Sequence, residues 1–116
     1  MTVTSIFDRN SLLDRVGNDE EIIARVMRMF IEGTPAELNS VKEFIERNNA
    51  LEAGLAAHKI KGSANMLSCQ TLSGVATAME KAGRGGDLQF LRRSLPDLEK
   101  AFAQVRNIFI AELGDG

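Results

Sequence analysis

The chain has no tryptophan, no tyrosine, one cysteine, one histidine and two prolines among its 116 residues. Each scarcity removes a class of answer. With only six Phe as aromatics and its basic residues scattered, it offers no stacking platform for single-stranded nucleic acid. A formal net charge of −2 gives no electrostatic argument for nucleic acid or for an acidic surface partner. The single Cys69 forbids an internal disulfide and fits a reducing compartment. One His and one Cys cannot close a structural zinc site without carboxylates. Long apolar runs are missing too. Met1 to Ile6 carries no basic stretch ahead of one, so neither a signal peptide nor a membrane span is expected, and the cytoplasm is the default location. Gly83-Arg84-Gly85-Gly86 lacks the Lys-Ser/Thr ending and the preceding strand of a phosphate loop, and reads as a flexible connection. Nucleotide and metal motifs are missing, which removes a kinase or phosphatase reading. The chain is expected to have no cofactor of its own.

What is present reads as helices. Hydrophobic residues at 44% and charged residues at 26% are ordinary for a globular protein, and the length suits one domain over residues 1–116. Asp8 or Asn10 can cap a short helix that Gly17 ends. Asn18, with Glu21 three residues on, starts a second helix with the stripe Ile22, Ile23, Val26, Met27, Phe30 and Ile31. Gly33 is a stop signal and Thr34-Pro35-Ala36-Glu37 a fresh start, for a third helix with Leu38, Val41, Phe44 and Ile45 on its apolar side. Alternatively the two run on as one helix kinked at Pro35. Asn49 and Glu52 repeat the capping box ahead of a helix that carries His58 and reaches about Met66. Ser68 can cap the next helix. Leu88 to Phe109 gives a bundle-type seam, with Pro96 marking a kink or restart. The pattern predicts an all-α fold, an antiparallel four-helix bundle with one or two additional N-terminal helices.

His58 sits in His58-Lys59-Ile60-Lys61-Gly62-Ser63. At about 100° per residue, Ala53, Ala56, Ala57, Ile60, Ala64 and Leu67 share one side of the helix, and His58 lies roughly 160° from Ile60. The helix is therefore predicted to bury small residues and expose its imidazole, a nucleophile at neutral pH. Gly54 and Gly62 stand four residues before and after His58. Each interior glycine costs a helix roughly 1 kcal/mol relative to alanine, and close approach by another protein is a reason to carry two. Lys61 flanks His58 and Lys59 is further round on the other side. An exposed imidazole among cations suits the acceptance and onward passage of a phosphoryl group. A solitary surface histidine, and a Gly62 that merely packs, are the plainer readings of the same residues.

With these residues the chain resembles the histidine-containing phosphotransfer (HPt) domain of two-component phosphorelays. The family motif, a His, two intervening residues, then Lys-Gly and often a small residue, is matched by His58, Lys61, Gly62 and Ser63. The resemblance extends over about residues 7–113, through Phe7-Asp8, Leu12-Leu13, Asp19 to Phe30, Pro35, Leu38, Ala57, Met79-Glu80 and Gly83-Arg84. Two departures stand out. Many members carry a glycine ten residues after the His, where this chain has Ser68, which bears on the shape of that turn. Some place a Gln on the neighbouring helix to orient the imidazole, where this chain has Glu80. The resemblance implies that His58 Nε2 takes a phosphoryl group from the aspartate of a response-regulator receiver domain and hands it to another. The receiver would supply Mg²⁺, Lys61 and Lys59 would offset phosphoryl charge, Gly62 would leave room for the receiver, and Glu80 would hold Nδ1–H. The implied partners are receiver domains and a hybrid sensor histidine kinase, with no nucleic acid or membrane, and a monomer is expected. The implied protein is a carrier and not an enzyme. The competing expectation is an adaptor or dimerisation bundle that buries Leu51 and Leu55 in a permanent interface.

Overall fold

The structure is a computed structural model that describes residues 5–114. The reading of Met1 to Thr4 lies outside them. Among the described residues five helices follow one another: α1 (Arg9–Arg15), α2 (Glu20–Glu46), α3 (Ala50–Met66), α4 (Gln70–Arg84) and α5 (Leu88–Leu113). Links of three residues join α2 to α3, α3 to α4 and α4 to α5, which makes these neighbours antiparallel. Contact of α2 with α5 closes the ring, and α1 is the one additional N-terminal helix. The expected bundle is therefore present, with a single extra helix.

The turns share one device. After α2, α3 and α4 a residue with left-handed backbone is followed at once by the next N-cap: Asn48 then Asn49, Ser68 then Cys69, Gly86 then Asp87. Each N-cap residue donates its amide N–H to a carbonyl five residues back, closing the α-helix with the usual left-handed stop: Asn49 to Phe44, Cys69 to Ala64, Asp87 to Ala82. Ser68, at φ 61°, thus keeps the geometry that a glycine would give, at a cost of order 1 kcal/mol. Its Oγ donates to Ser11 Oγ at 3.0 Å.

Several sequence boundaries move. Asp19, not Asn18, caps α2 through the N–H groups of Glu21 and Ile22, because Asn18 is spent on a left-handed turn. Ser68 is spent in the same way, and Cys69 caps α4 without a side-chain bond. Gly33 and Thr34 do not divide α2, so of the two readings the one in which the helix runs on through Pro35 holds. Thr34 is buried in the core, and Pro35 is exposed within a continuous helix. Pro96 likewise sits on the exposed side of an uninterrupted α5. Packing of both flanking segments outweighs the one lost backbone bond. Gly83 and Arg84 belong to α4 and not to a loop.

With 27 and 26 residues, α2 and α5 outreach α3 and α4, and α1 covers the overhang. Arg9 binds Glu20 of α2 and Glu112 of α5, and Phe7 meets Phe109 edge-on at 5.0 Å. Phe30 lies between Phe102, tilted at 41°, and Phe109, met edge-on, with ring centroids 5.5 and 5.6 Å apart. Ile23 and Met27 of α2 and Leu91, Leu98 and Val105 of α5 are also buried. The other side is lined by small residues of α3, Ala53, Ala57 and Ala64, with Ile60 between them.

Candidate functional site

The alanine face of α3 turns inward, so the opposite face carries His58 outward from mid-helix, with its side chain 55% exposed. One ring nitrogen is taken. His58 Nδ1 lies 3.1 Å from Oε2 of Glu80, a buried carboxylate on α4. A carboxylate only accepts, so a neutral imidazole bonds it through Nδ1–H and keeps its lone pair on Nε2. Lys61 Nζ stands 2.7 Å from Glu80 Oε1, and Arg84 Nη2 donates to Oε2 at 2.5 Å. These partners, Lys61 first and then His58, hold the Glu80 carboxyl down at about 2 against the opposing pull of burial. Glu80 is thus a fixed negative charge behind the imidazole.

The remaining residues of the motif part company. Gly62 is exposed, and a Cβ built on it meets nothing within 4 Å. Lys59 is exposed and lines an open groove of about 650 Å³ between α2 and α3, together with His58, Leu55, Phe44 and Glu37. Burial pushes the Glu37 carboxyl up, with Lys59 opposing. Ser63 faces a smaller cavity of about 140 Å³ beside Phe30, Thr34 and Met66, and is not brought to the imidazole. Gly54, expected to clear the face of His58, is buried and lies against Gly83 of α4. Its missing side chain serves the neighbouring helix and not a visitor. Among the described residues no group of three or more His, Cys, Asp or Glu could hold a metal ion, and no helix is long and apolar enough to cross a membrane.

Comparison with known proteins gives the family. The model of the Hpt domain matches residues 25–108. The chain belongs to the Hpt domain family. This places it among phosphotransfer intermediates and against the adaptor alternative. It is 24% identical over 107 residues to the phosphorelay intermediate protein rdeA of Dictyostelium discoideum. That match takes in 92% of this chain but 42% of rdeA, so the chain spans about two fifths of that relative. In fold it is similar to the crystal structure of histidine-containing phosphotransfer protein B of Pseudomonas aeruginosa PAO1, with a TM-score of 0.88 over 96% of both chains at 22% identity.

In this Hpt domain the residue that sequence reasoning underplayed is Arg84. It looked like part of a glycine loop. Its spacing of four from Glu80 was the available signal, because side chains at that spacing meet on a helix. Lys61 was read as a charge free to meet a phosphoryl group, whereas its ammonium sits on Glu80.

Proposed function

We propose that His58 accepts a phosphoryl group on Nε2 from the phosphoaspartate of a response-regulator receiver domain and passes it to another receiver aspartate. The observation that carries this reading is the Nδ1 contact with Glu80 on an otherwise exposed ring. The Nε2 lone pair forms the P–N bond while the aspartyl O–P bond breaks and the carboxylate departs. The ring, still protonated at Nδ1, then carries positive charge directly against the Glu80 carboxylate, which stabilises it. Lys61 and Arg84 share Glu80 and stand near enough to turn part of their charge towards the new phosphoryl oxygens. Lys59, on the groove side, adds to that field. Mg²⁺ belongs to the receiver, whose acidic site would hold it.

Docking falls on the exposed stripe of α3. Leu51 and Leu55 before His58, the bare Gly62 and then Met66 lie at successive turns, and both leucines and Met66 are about half exposed or more. Such a patch suits a transient partner. A hybrid sensor kinase that carries a receiver is one source of the phosphoryl group. A cytoplasmic location accords with the free thiol of Cys69, whose pKa burial raises to about 12.

The test is His58→Gln mixed with a phosphorylated receiver. Acid-labile, alkali-stable label is expected on the parent and none on the variant, with helical circular dichroism unchanged. Label retained by the variant would overturn the assignment.

A further inference from the structure

One close approach of two helix backbones has no obvious part in the chemistry, yet it lies one helical turn from it. Gly54 of α3 and Gly83 of α4 meet with no room for a side chain. A Cβ on Gly54 would stand 2.9 Å from Gly83 Cα and 3.1 Å from the carbonyl oxygen of Glu80 itself. A Cβ on Gly83 would stand 2.6 Å from Gly54 Cα and 2.7 Å from the carbonyl oxygen of Ala50. These are backbone atoms, so only separation of the helices can relieve them. Gly54 precedes His58 by four residues and Gly83 follows Glu80 by three, so each glycine shares a helix face with one partner of the His58–Glu80 contact.

We propose that the Gly54–Gly83 crossing is a positioning device. It sets the α3–α4 spacing at which the Glu80 carboxylate reaches His58 Nδ1, and so fixes which ring nitrogen is the nucleophile. This rests on the reading of His58 as acceptor only for its consequence, not for its geometry. The margin is narrow. Ordinary contact begins at 3.4 Å, so a Cβ on Gly54, 2.9 Å from Gly83 Cα, needs about 0.5 Å of separation, and one on Gly83, 2.6 Å from Gly54 Cα, about 0.8 Å. The Nδ1–Oε2 distance is already 3.1 Å, and the same movement carries it past hydrogen-bond range. Glu80 is held back by its burial and by Arg84 of its own helix, while Lys61, which travels with His58 on α3, is the one tie that pulls the other way. Gly74, also on α4, has nothing within 4 Å of a built Cβ and serves as the contrasting glycine.

The chain has one histidine, so selective ¹⁵N-histidine labelling gives a single imidazole spectrum. In the parent, with the ring neutral, the proton is expected on Nδ1. Gly54→Ala is the milder substitution and is expected to shift the proton towards Nε2, to the mixture of an unrestrained histidine. Its rate of phosphorylation by phosphoramidate, in which Nε2 displaces ammonia from phosphorus, is expected to fall about ten-fold from misplacement alone. Gly74→Ala is expected to leave both unchanged. A folded Gly54→Ala protein with the parent tautomer would overturn the proposal, whatever its phosphorylation rate. Where Gly54→Ala does not fold, Glu80→Asp withdraws the carboxylate with the crossing intact. The same tautomer shift is expected there, and a parent-like ring would show that the site tolerates the displacement and would equally overturn the proposal. The tautomer is read without any phosphoryl donor. A parent that takes no phosphate but holds Nδ1–H would defeat the acceptor reading and leave the positioning role standing.

Discussion

The two sides of this bundle are built on opposite principles. Where α2 and α5 meet, Phe30, Phe102 and Phe109 fill the space with large rings, and Phe7 adds a fourth under α1. Where α3 and α4 meet, a glycine pair brings the backbones together, although these two helices also bury Ile60, Leu72 and Met79. Large rings remove much apolar surface from water, and stability follows from that area. A glycine crossing buries little, but it fixes a distance. The proposed chemistry sits on the second side. An imidazole that accepts a phosphoryl group, as proposed for His58, needs a carboxylate at a set separation more than it needs local stability.

Substitutions can break this contrast from either side. The largest effect is expected from Phe109→Ala, which opens a cavity at a ring with no exposure. It should cost about 3–5 kcal/mol in denaturant unfolding. Phosphoryl acceptance per folded molecule should stay at the parent level at low temperature. A large loss of acceptance in the folded fraction would mean that the two sides are not separable. Gly62→Gln is expected to act the other way round. With open space around its Cβ, the helix should hold or gain about 0.5 kcal/mol. Transfer from a phosphorylated receiver should slow about a hundred-fold, because on the proposed docking the new side chain stands where the receiver approaches. Normal transfer with lowered stability would assign Gly62 to packing.

Lys61→Ala should have a smaller effect, a slowing of about ten-fold. Because Lys61 reaches the site through Glu80, its effect should be strongly non-additive with Glu80→Gln in a double-mutant cycle. Additive losses would mean that Lys61 acts on the phosphoryl group alone. The smallest effect is a pH dependence. Glu80 has its folded pKa lowered from 4.5 to about 2, first by Lys61 and then by His58. A depressed carboxyl stabilises the folded state fully above its unfolded pKa, and that contribution fades as pH falls through the folded value. The difference in Tm between the parent and Glu80→Gln should therefore be greatest above about pH 5 and shrink towards pH 2. A constant difference across that window would remove the charge from the explanation.

The bundle and the exposed histidine were legible because periodicity and the alanine stripe of α3 are local signals. The boundaries that moved were decided elsewhere in the chain. Thr34-Pro35 has the form of a helix start, yet Thr34 is buried by tertiary packing and α2 runs through it. Ser68 looked like a cap and acts as the left-handed residue before one. Gly54 illustrates the limit best. Sequence spacing put it on the face of His58, but only the position of Gly83 on another helix reveals what the missing side chain is for. The position of Glu80 was readable from the family resemblance and its tie to Arg84 was signalled by their spacing of four, while its tie to Lys61 on another helix required the structure.

The most direct test is the position of the phosphoryl group after reaction with a phosphorylated receiver. Phosphopeptide mapping and ³¹P NMR identify both the residue and the ring nitrogen. The account expects a single acid-labile phosphohistidine at His58, bonded through Nε2, with Nδ1 still protonated against Glu80. Phosphate on any other residue, or on Nδ1 of His58, would contradict it.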